Sequence, residues 1–327
     1  MKGTLITNKS NLKYITNKNY SNMFVIITDS QNHLFTDPRY QHASKECPEF
    51  KVWIYTNLKE TIQEFLQENP LSEIHFESMD ITVGKLKIFK KLFKKIEFKE
   101  LKENPILEQR KIKSQEEIKN IRESQILNEK IYQEAIKHLK PGISELEIAN
   151  IIKTKAIQSN SEVSFEPIVG FAENSANIHH SPTSKKYKDG DCVLIDMGVK
   201  FKDYCSDMTR VIKSKNKDYL KHYEFLKNLI NKFEENFKNF KTLEDIDRFA
   251  RAEYKKLNNI NLPHSLGHGI GIEVHEKPFF GEKTKIQDGL VFTIEPGIYI
   301  PEKYGIRLEN IYYIKDSKLI NCNTLEV

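Results

Sequence analysis

The chain has no long apolar run, few cysteines and little excess charge of either sign. None of its 327 residues falls in a stretch approaching the ~20 apolar residues a helix needs to cross a bilayer. The opening stretch, MKGTLITNKSNLKYITNKNY, lacks the apolar centre and small-residue cleavage site of a secretory signal. Its four cysteines, Cys47, Cys192, Cys205 and Cys322, form no CxxC pair and no disulfide framework. A reducing, cytoplasmic setting is therefore expected, and a disulfide-stapled module is not. Net charge is +5, from 51 basic against 46 acidic residues, too small an excess to argue for a polyanion partner. The one strongly basic stretch, residues 85–102, sets Leu86, Phe89, Leu92, Phe93 and Ile96 at helical spacing among its lysines. It reads as a helix with a solvated face. No aromatic-plus-basic pattern of a nucleic-acid module is present. Neither a membrane nor nucleic acid is expected as a partner.

What is present points to two domains. Residues 1–110 alternate strand and helix signals. NMFVIITDSQNHLFTDPRYQHASK reads as strand, turn, strand and helix start. EFKVWIY and EIHFESM read as further strands, and LKETIQEFLQEN as a helix between them. Such alternation predicts an α/β layer, with a break at Asn104-Pro105. Residues 111–327 have a different texture. Ser114 with Glu117, and Ser144 with Glu147, are S-x-x-E capping boxes that open two helices. Ile118, Ile121, Ile126 and Ile131 supply an apolar stripe to the first. Strand-like segments follow. The order then recurs: a long helix from residue 218, a second capped by Thr242 and Asp245, and a final run of strands. Two helices and a hairpin, twice over, predict an α+β domain built of two similar halves whose hairpins meet in the middle.

Those hairpins carry acids where apolar residues would be expected. Folding VLIDMGVKFKDYCSDMTRVI about residues 201 and 202 sets Asp196 opposite Asp207. Folding FTIEPGIYIPEKYGIRLEN about Glu302 sets Glu295 opposite Glu309. Like charges facing each other across a strand pair are destabilising unless a cation lies between them. One such acid would suggest a structural ion pair. Four, in two matched pairs, carry a charge that two divalent cations would balance. Mostly oxygen ligands with one imidazole suit manganese and tolerate cobalt, iron or zinc. A candidate imidazole lies in PHSLGHGIGIEVHE, residues 263–276, where His264, His268 and His275 stand among Gly267, Gly269 and Gly271. Histidine binds metals and moves protons near neutral pH, and glycine lets backbone approach closely.

In these segments the chain resembles the pita-bread metallopeptidases: methionine aminopeptidase, aminopeptidase P and prolidase. VLIDMGVKFKDYCSDMTR is similar to the family's first metal hairpin, HSLGHGIGIEVHE to its histidine segment, and FTIEPGIY and GIRLEN to its two glutamate segments. LKYIT and LFTDPRY resemble the N-terminal domain of the creatinase, prolidase and aminopeptidase P branch. The resemblance implies a pita-bread fold with a pseudo-twofold repeat over residues 111–327, preceded by a smaller creatinase-like α/β domain over 1–110. It implies a metallo-aminopeptidase that hydrolyses the bond between an N-terminal residue and a following proline, with two metal ions per chain and a homodimeric assembly. A dipeptidase (prolidase) is the alternative, and a non-catalytic binding module a more distant one. Residue by residue, it implies metal ligation by Asp196, Asp207, His268, Glu295 and Glu309, with Glu295 also taking the proton of the attacking water. His275 would hold the carbonyl or oxyanion, His179 and His264 would contact substrate, and Arg307 would pair with a metal-binding aspartate. His180 would be a neighbour only. Cys192 and Cys205 are assigned to packing.

Overall fold

In the N-terminal stretch, neighbouring apolar residues on each strand point to opposite sides, and this makes a sheet that is buried on both faces. The computed structural model describes residues 1–257 and 260–327, and the chain folds as two units, Met1–Glu108 and Gln109–Val327. The first unit runs β1 (Lys2–Ile6), α1 (Lys9–Thr16), β2 (Phe24–Thr28), β3 (Asn32–Thr36), α2 (Ala43–Glu46), β4 (Phe50–Ile54), α3 (Leu58–Glu68), β5 (Glu73–Phe76), α4 (Val83–Leu92) and β6 (Glu97–Glu100). The strands form one mixed sheet in the order β4-β3-β2-β1-β5-β6. Leu5, Ile26 and Phe35 pack with Ile62 and Phe65 of α3 and Phe89 of α4. Their sequence neighbours Ile6, Val25 and Leu34 pack on the other face with Leu12 of α1 and Ala43 of α2. This is the α/β layer that the strand–helix alternation predicts.

Two local expectations change. The helix predicted over 85–102 stops at Leu92, Lys95 takes a left-handed conformation (φ 67°), and Glu97–Glu100 becomes the edge strand β6. Leu86, Phe89, Leu92, Phe93 and Ile96 still share one core, with Ile96 reaching it from the turn. Asn104-Pro105 is a break that opens a helix, α5 (Pro105–Lys111). Proline at a first helical position loses no intrahelical hydrogen bond.

The second unit begins with α6 (Gln115–Ile136) and α7 (Glu145–Gln158), both started by the capping boxes read from the sequence. Within α6, Ile118, Ile121 and Ile131 are buried, but Ile126 lies on the outer face and is exposed. Strands β7 (Glu162–Val163), β8 (Ile168–Phe171), β9 (Val193–Met197), β10 (Val199–Phe201), β11 (Tyr204–Cys205) and β12 (Met208–Ile212) follow. Then come α8 (Lys217–Asn236) and α9 (Leu243–Tyr254), the latter with the Thr242–Asp245 box. The chain closes with β13 (His268–Gly269), β14 (Glu276–Phe279), β15 (Val291–Ile294), β16 (Gly297–Ile300), β17 (Tyr304–Arg307), β18 (Asn310–Lys315) and β19 (Lys318–Asn321).

Each helix pair covers its own strands. Ala135 of α6 and Ile148 and Ile152 of α7 pack on Ile195 and Met197. Leu226 and Phe233 of α8 and Ile246 of α9 pack on Phe292, Ile298 and Ile306. The halves meet through their strands, as the repeated order predicts. Glu309 donates its amide to the Thr209 carbonyl (3.3 Å), and Arg210 donates to the Glu309 carbonyl (2.5 Å) and the Asn310 side chain (2.8 Å). This seam between β12 and β18 sets the acids of one half beside those of the other.

Candidate metal centre

Strand periodicity decides which side chains reach the seam. In β9, Val193, Ile195 and Met197 face the α6–α7 core, so Asp196 faces away from it. The first hairpin turns at Lys202 and Asp203, both left-handed (φ 51° and 67°), the arrangement of a two-residue hairpin turn. Its register pairs Phe201 with Tyr204 and Asp196 with Thr209, so the pairing expected between Asp196 and Asp207 is two residues out. A shift of two preserves the face. Asp196, Asp207 and Thr209 therefore all look into the seam. The last hairpin has the expected register. Gly297 pairs with Arg307 on one side and Ile294 with Asn310 on the other, which leaves Glu295 opposite Glu309.

His268 arrives on the two-residue strand β13, whose Gly269 pairs with Phe292 and Glu276. A Cβ on Gly267 would lie 1.9 Å from the Thr293 carbonyl oxygen, so only glycine lets this strand close up on β15. The His268 amide is held by Thr293 Oγ1 (3.1 Å). Its ring Nδ1 lies 3.2 Å from the Gly269 carbonyl, which leaves Nε2 directed at the acids, 3.6 Å from both Asp207 Oδ2 and Glu295 Oε1. Burial pulls the His268 pKa down to about 3, with His275 adding to the effect, so the ring is neutral and these contacts are not ion pairs.

Asp207, His268 and Glu309 each offer a ligand atom, all within 4.8 Å of one another, and all three residues are buried. Asp196 Oδ1 and Asp207 Oδ1 are buried oxygens that no hydrogen bond from the described residues reaches. Burial, and then the neighbouring carboxylates, raises Asp207 and Glu309 well above the usual carboxylate range. Burial likewise lifts Glu295, to about 8, against the pull of Arg307. Four acids thus face one permanent cation among the described residues lining the cavity, and that cation is fully engaged. Arg307 donates from Nη2 to Asp196 Oδ2 (2.6 Å), from Nη1 to the Tyr299 hydroxyl (2.8 Å) and from Nε to Thr209 Oγ1 (3.0 Å). Thr209 in turn donates to Glu309 Oε2 (2.8 Å). Carboxylate oxygens without partners, a neutral imidazole nitrogen aimed among them and a shortage of positive charge are the donor set of a divalent-cation site.

A cavity of about 710 Å³ opens over this cluster. Every residue selected from the sequence lines it: Asp196, Asp207, Glu295, Glu309, His268, His275, His179, His264 and Arg307. The His275 ring stands 4.2 Å from that of His268, centroid to centroid. Burial lowers its pKa, so it too is neutral near pH 7. Both nitrogens of His264 are occupied: Nδ1 lies 2.7 Å from the Ser265 carbonyl and Nε2 2.9 Å from the Tyr299 hydroxyl. Burial takes its pKa down to about 4. His180 also lines the cavity, and its Nε2 lies 2.9 Å from Glu145 Oε2, an acid that also accepts from Thr183 and, through Oε1, from the Phe171 amide and Asn174. Cys205 packs under the loop with Sγ 3.4 Å from the Ile272 carbonyl, and Cys192 is also buried.

Sequence reasoning did not single out Tyr299, Thr209 or the apolar wall. Tyr299 ties His264 to Arg307, and its place two residues from Gly297 on the strand after Glu295 was the available signal. Thr209 is the strand partner of Asp196, which a correct register would have exposed. Phe165, Ile178, Val274 and Phe279 are among the residues lining the cavity and come from three separate segments, so no local pattern marks them.

Residues 119–316 match metallopeptidase family M24, and residues 1–112 match the creatinase/prolidase N-terminal domain. The chain belongs to metallopeptidase family M24, with the pita-bread fold preceded by a creatinase-type N-terminal domain. It is a hydrolase of a family that uses divalent metal. Among solved structures, it is similar to an Xaa-Pro dipeptidase from Bacillus anthracis (27% identity, TM-score 0.90, covering 99% of this chain and 93% of that one). It is similar to the prolidase from Pyrococcus horikoshii (29%, TM-score 0.90, covering 100% and 94%). It is also similar to an X-Pro aminopeptidase from Thermotoga maritima (25%, TM-score 0.86, covering 100% and 96%). No helix among the described residues is long and apolar enough to cross a membrane.

Proposed function

We propose that the protein is a dinuclear-metal Xaa-Pro aminopeptidase, which hydrolyses the bond between an N-terminal residue and a following proline. The observation that carries this reading is the buried acid cluster, with its two unpartnered aspartate oxygens, lining a cavity that apolar side chains also line. Asp196, Asp207, Glu309, His268 and Glu295 would hold two divalent ions, manganese first among the candidates. Bound there, the ions would supply an activated water and polarise the scissile carbonyl.

The remaining chemistry falls to the chain. Glu295, whose burial raises its affinity for a proton, accepts one from the attacking water and returns it to the departing proline nitrogen. His275, neutral and therefore carrying one N–H, donates a hydrogen bond to the oxyanion as it develops. His179 and the ring of His264 border the substrate, and Arg307 fixes Asp196. Phe165, Ile178, Val274 and Phe279 offer the proline ring an apolar surface. Residues 1–110 would carry no catalytic group, and would shape substrate access and a homodimer contact. The four free cysteines suit a reducing cytoplasm.

A dipeptidase is the second reading, favoured by two of the three solved structures named above. A dipeptide's C-terminal carboxylate calls for a cation. Among the described residues lining the cavity, Arg307 is the only lysine or arginine, and its three nitrogens are already bonded. That supports the aminopeptidase. A non-catalytic module would have no need of the complete acid and histidine set. The test compares hydrolysis of Ala-Pro with that of an Xaa-Pro-Xaa peptide, with and without manganese. Preference for the longer peptide is expected; cleavage of Ala-Pro alone would favour the dipeptidase.

A further inference from the structure

The loop that links His268 to His275 has no regular secondary structure, yet it sets the distance between the two rings. What occupies its inner side is the carboxylate of Glu276. Oε2 accepts the Glu273 amide (3.1 Å) and Arg110 Nη2 (2.5 Å), and Oε1 lies 2.9 Å from Lys113 Nζ. Arg110 Nη2 also donates to Glu273 Oε2 (2.7 Å), and Lys113 reaches the Lys277 carbonyl (3.4 Å). The backbone closes onto the acid so tightly that a Cβ on Gly271 would sit 2.3 Å from Glu276 Oε1. The side chains of Arg110, Lys113 and Glu276 are 2%, 1% and 3% exposed. None of the three lines the cavity.

Burying three charges to secure a six-residue bend is a costly way to gain stability, since apolar packing of the same volume would serve as well. Its distinctive product is geometric. The acid is covalently next to His275, and a carboxylate held from two sides by cations on a separate segment cannot swing without moving that residue's backbone. We infer that Glu276, clamped by Arg110 and Lys113, is a positioning residue that holds His275 at the distance from His268 that its hydrogen bond to the oxyanion requires. This rests on the role given to His275 above.

The test is a double-mutant comparison in the full-length, manganese-loaded enzyme, reading kcat, KM, metal content and Tm. Lys113→Met should lower kcat on an Xaa-Pro-Xaa peptide roughly tenfold, with KM within about twofold and metal content unchanged. Lys113→Arg should restore most of the loss. In a His275→Ala background, Lys113→Met should cost less than about twofold more, because the group being positioned is gone. The same fold loss in both backgrounds would overturn the positioning role alone. A near-normal His275→Ala enzyme would overturn that role together with the reading of His275. Should Lys113→Met fail to fold, Glu273→Gln, which loosens Arg110 from the solvent side, supplies the same comparison.

Discussion

Carboxylates buried in one cluster raise each other's hold on protons, and histidines there lose theirs. Asp207, Glu309 and Glu295 are all shifted upward, and His264, His268 and His275 all downward. The two neighbouring histidines should nonetheless separate by role. His268 directs Nε2 at the acids, so His268→Ala should lower the metal content of the purified protein. His275→Ala should leave metal content and fold near normal while kcat falls by roughly 10²–10³, the usual loss for one oxyanion donor. Metal analysis beside steady-state kinetics checks both; loss of metal from the His275 variant would show the two roles reversed. At this scale the sequence was most informative where one residue type stood out of place. Glutamates among strand residues and histidines among glycines announce themselves. Arg110 and Lys113 do not, because their partner Glu276 lies more than 160 positions away, and basic residues beside Lys111 ahead of a capping box resemble any surface charge.

Strand pairing does the work of assembly, and it was half legible. The last hairpin could be registered from its sequence because its three-residue turn is centred on Glu302, with the matched acids equidistant. The first could not, because the turn lies one residue later than supposed, on Lys202 and Asp203. Asp203 was the available cue, since aspartate tolerates the left-handed conformation. Both registers still deliver their acids to one face, so the site survived the error. Close approach of β13 to β15 is the more fragile feature. Gly267→Ala should force His268 away from Thr293 and reduce metal occupancy, and full occupancy with unchanged Tm would contradict that contact. The loop that carries His179 depends instead on Glu145. Burial pushes this carboxyl up, but bonds from His180, Thr183, the Phe171 amide and Asn174 outweigh it, and its pKa ends below the ordinary 4.5. Its stabilisation is therefore full above about 4.5 and fades as pH falls through the lower, folded value. Glu145→Gln should cost ~1–3 kcal/mol near neutral pH, and its Tm deficit should shrink below about pH 4. A deficit constant across that range would contradict the assignment.

For the whole molecule, the two helix-plus-strand halves exist to bring two sets of acids together, and the second half is not a copy in chemistry. It supplies Glu295, Glu309, His264, His268 and His275, and the first supplies Asp196, Asp207 and His179. Capping boxes at Ser114, Ser144 and Thr242 made this repeat readable, because each fixes a helix start by local hydrogen bonds alone. The apolar part of the cavity lining was unreadable for the opposite reason, since Phe165, Ile178 and Phe279 come to border one cavity only after folding. An acid cluster of this kind is a net cost to the folded state until cations enter it, so chelation should lower Tm as well as abolish hydrolysis, and manganese should restore both. The most direct test of the metal-dependent chemistry is to assay an Xaa-Pro-Xaa peptide with the purified protein before chelation, after it, and after adding back manganese, with bound metal measured at each stage. Release of the N-terminal residue should disappear with the metal and return as two ions per chain are bound. Undiminished hydrolysis by the metal-free protein would contradict a metal-dependent peptidase.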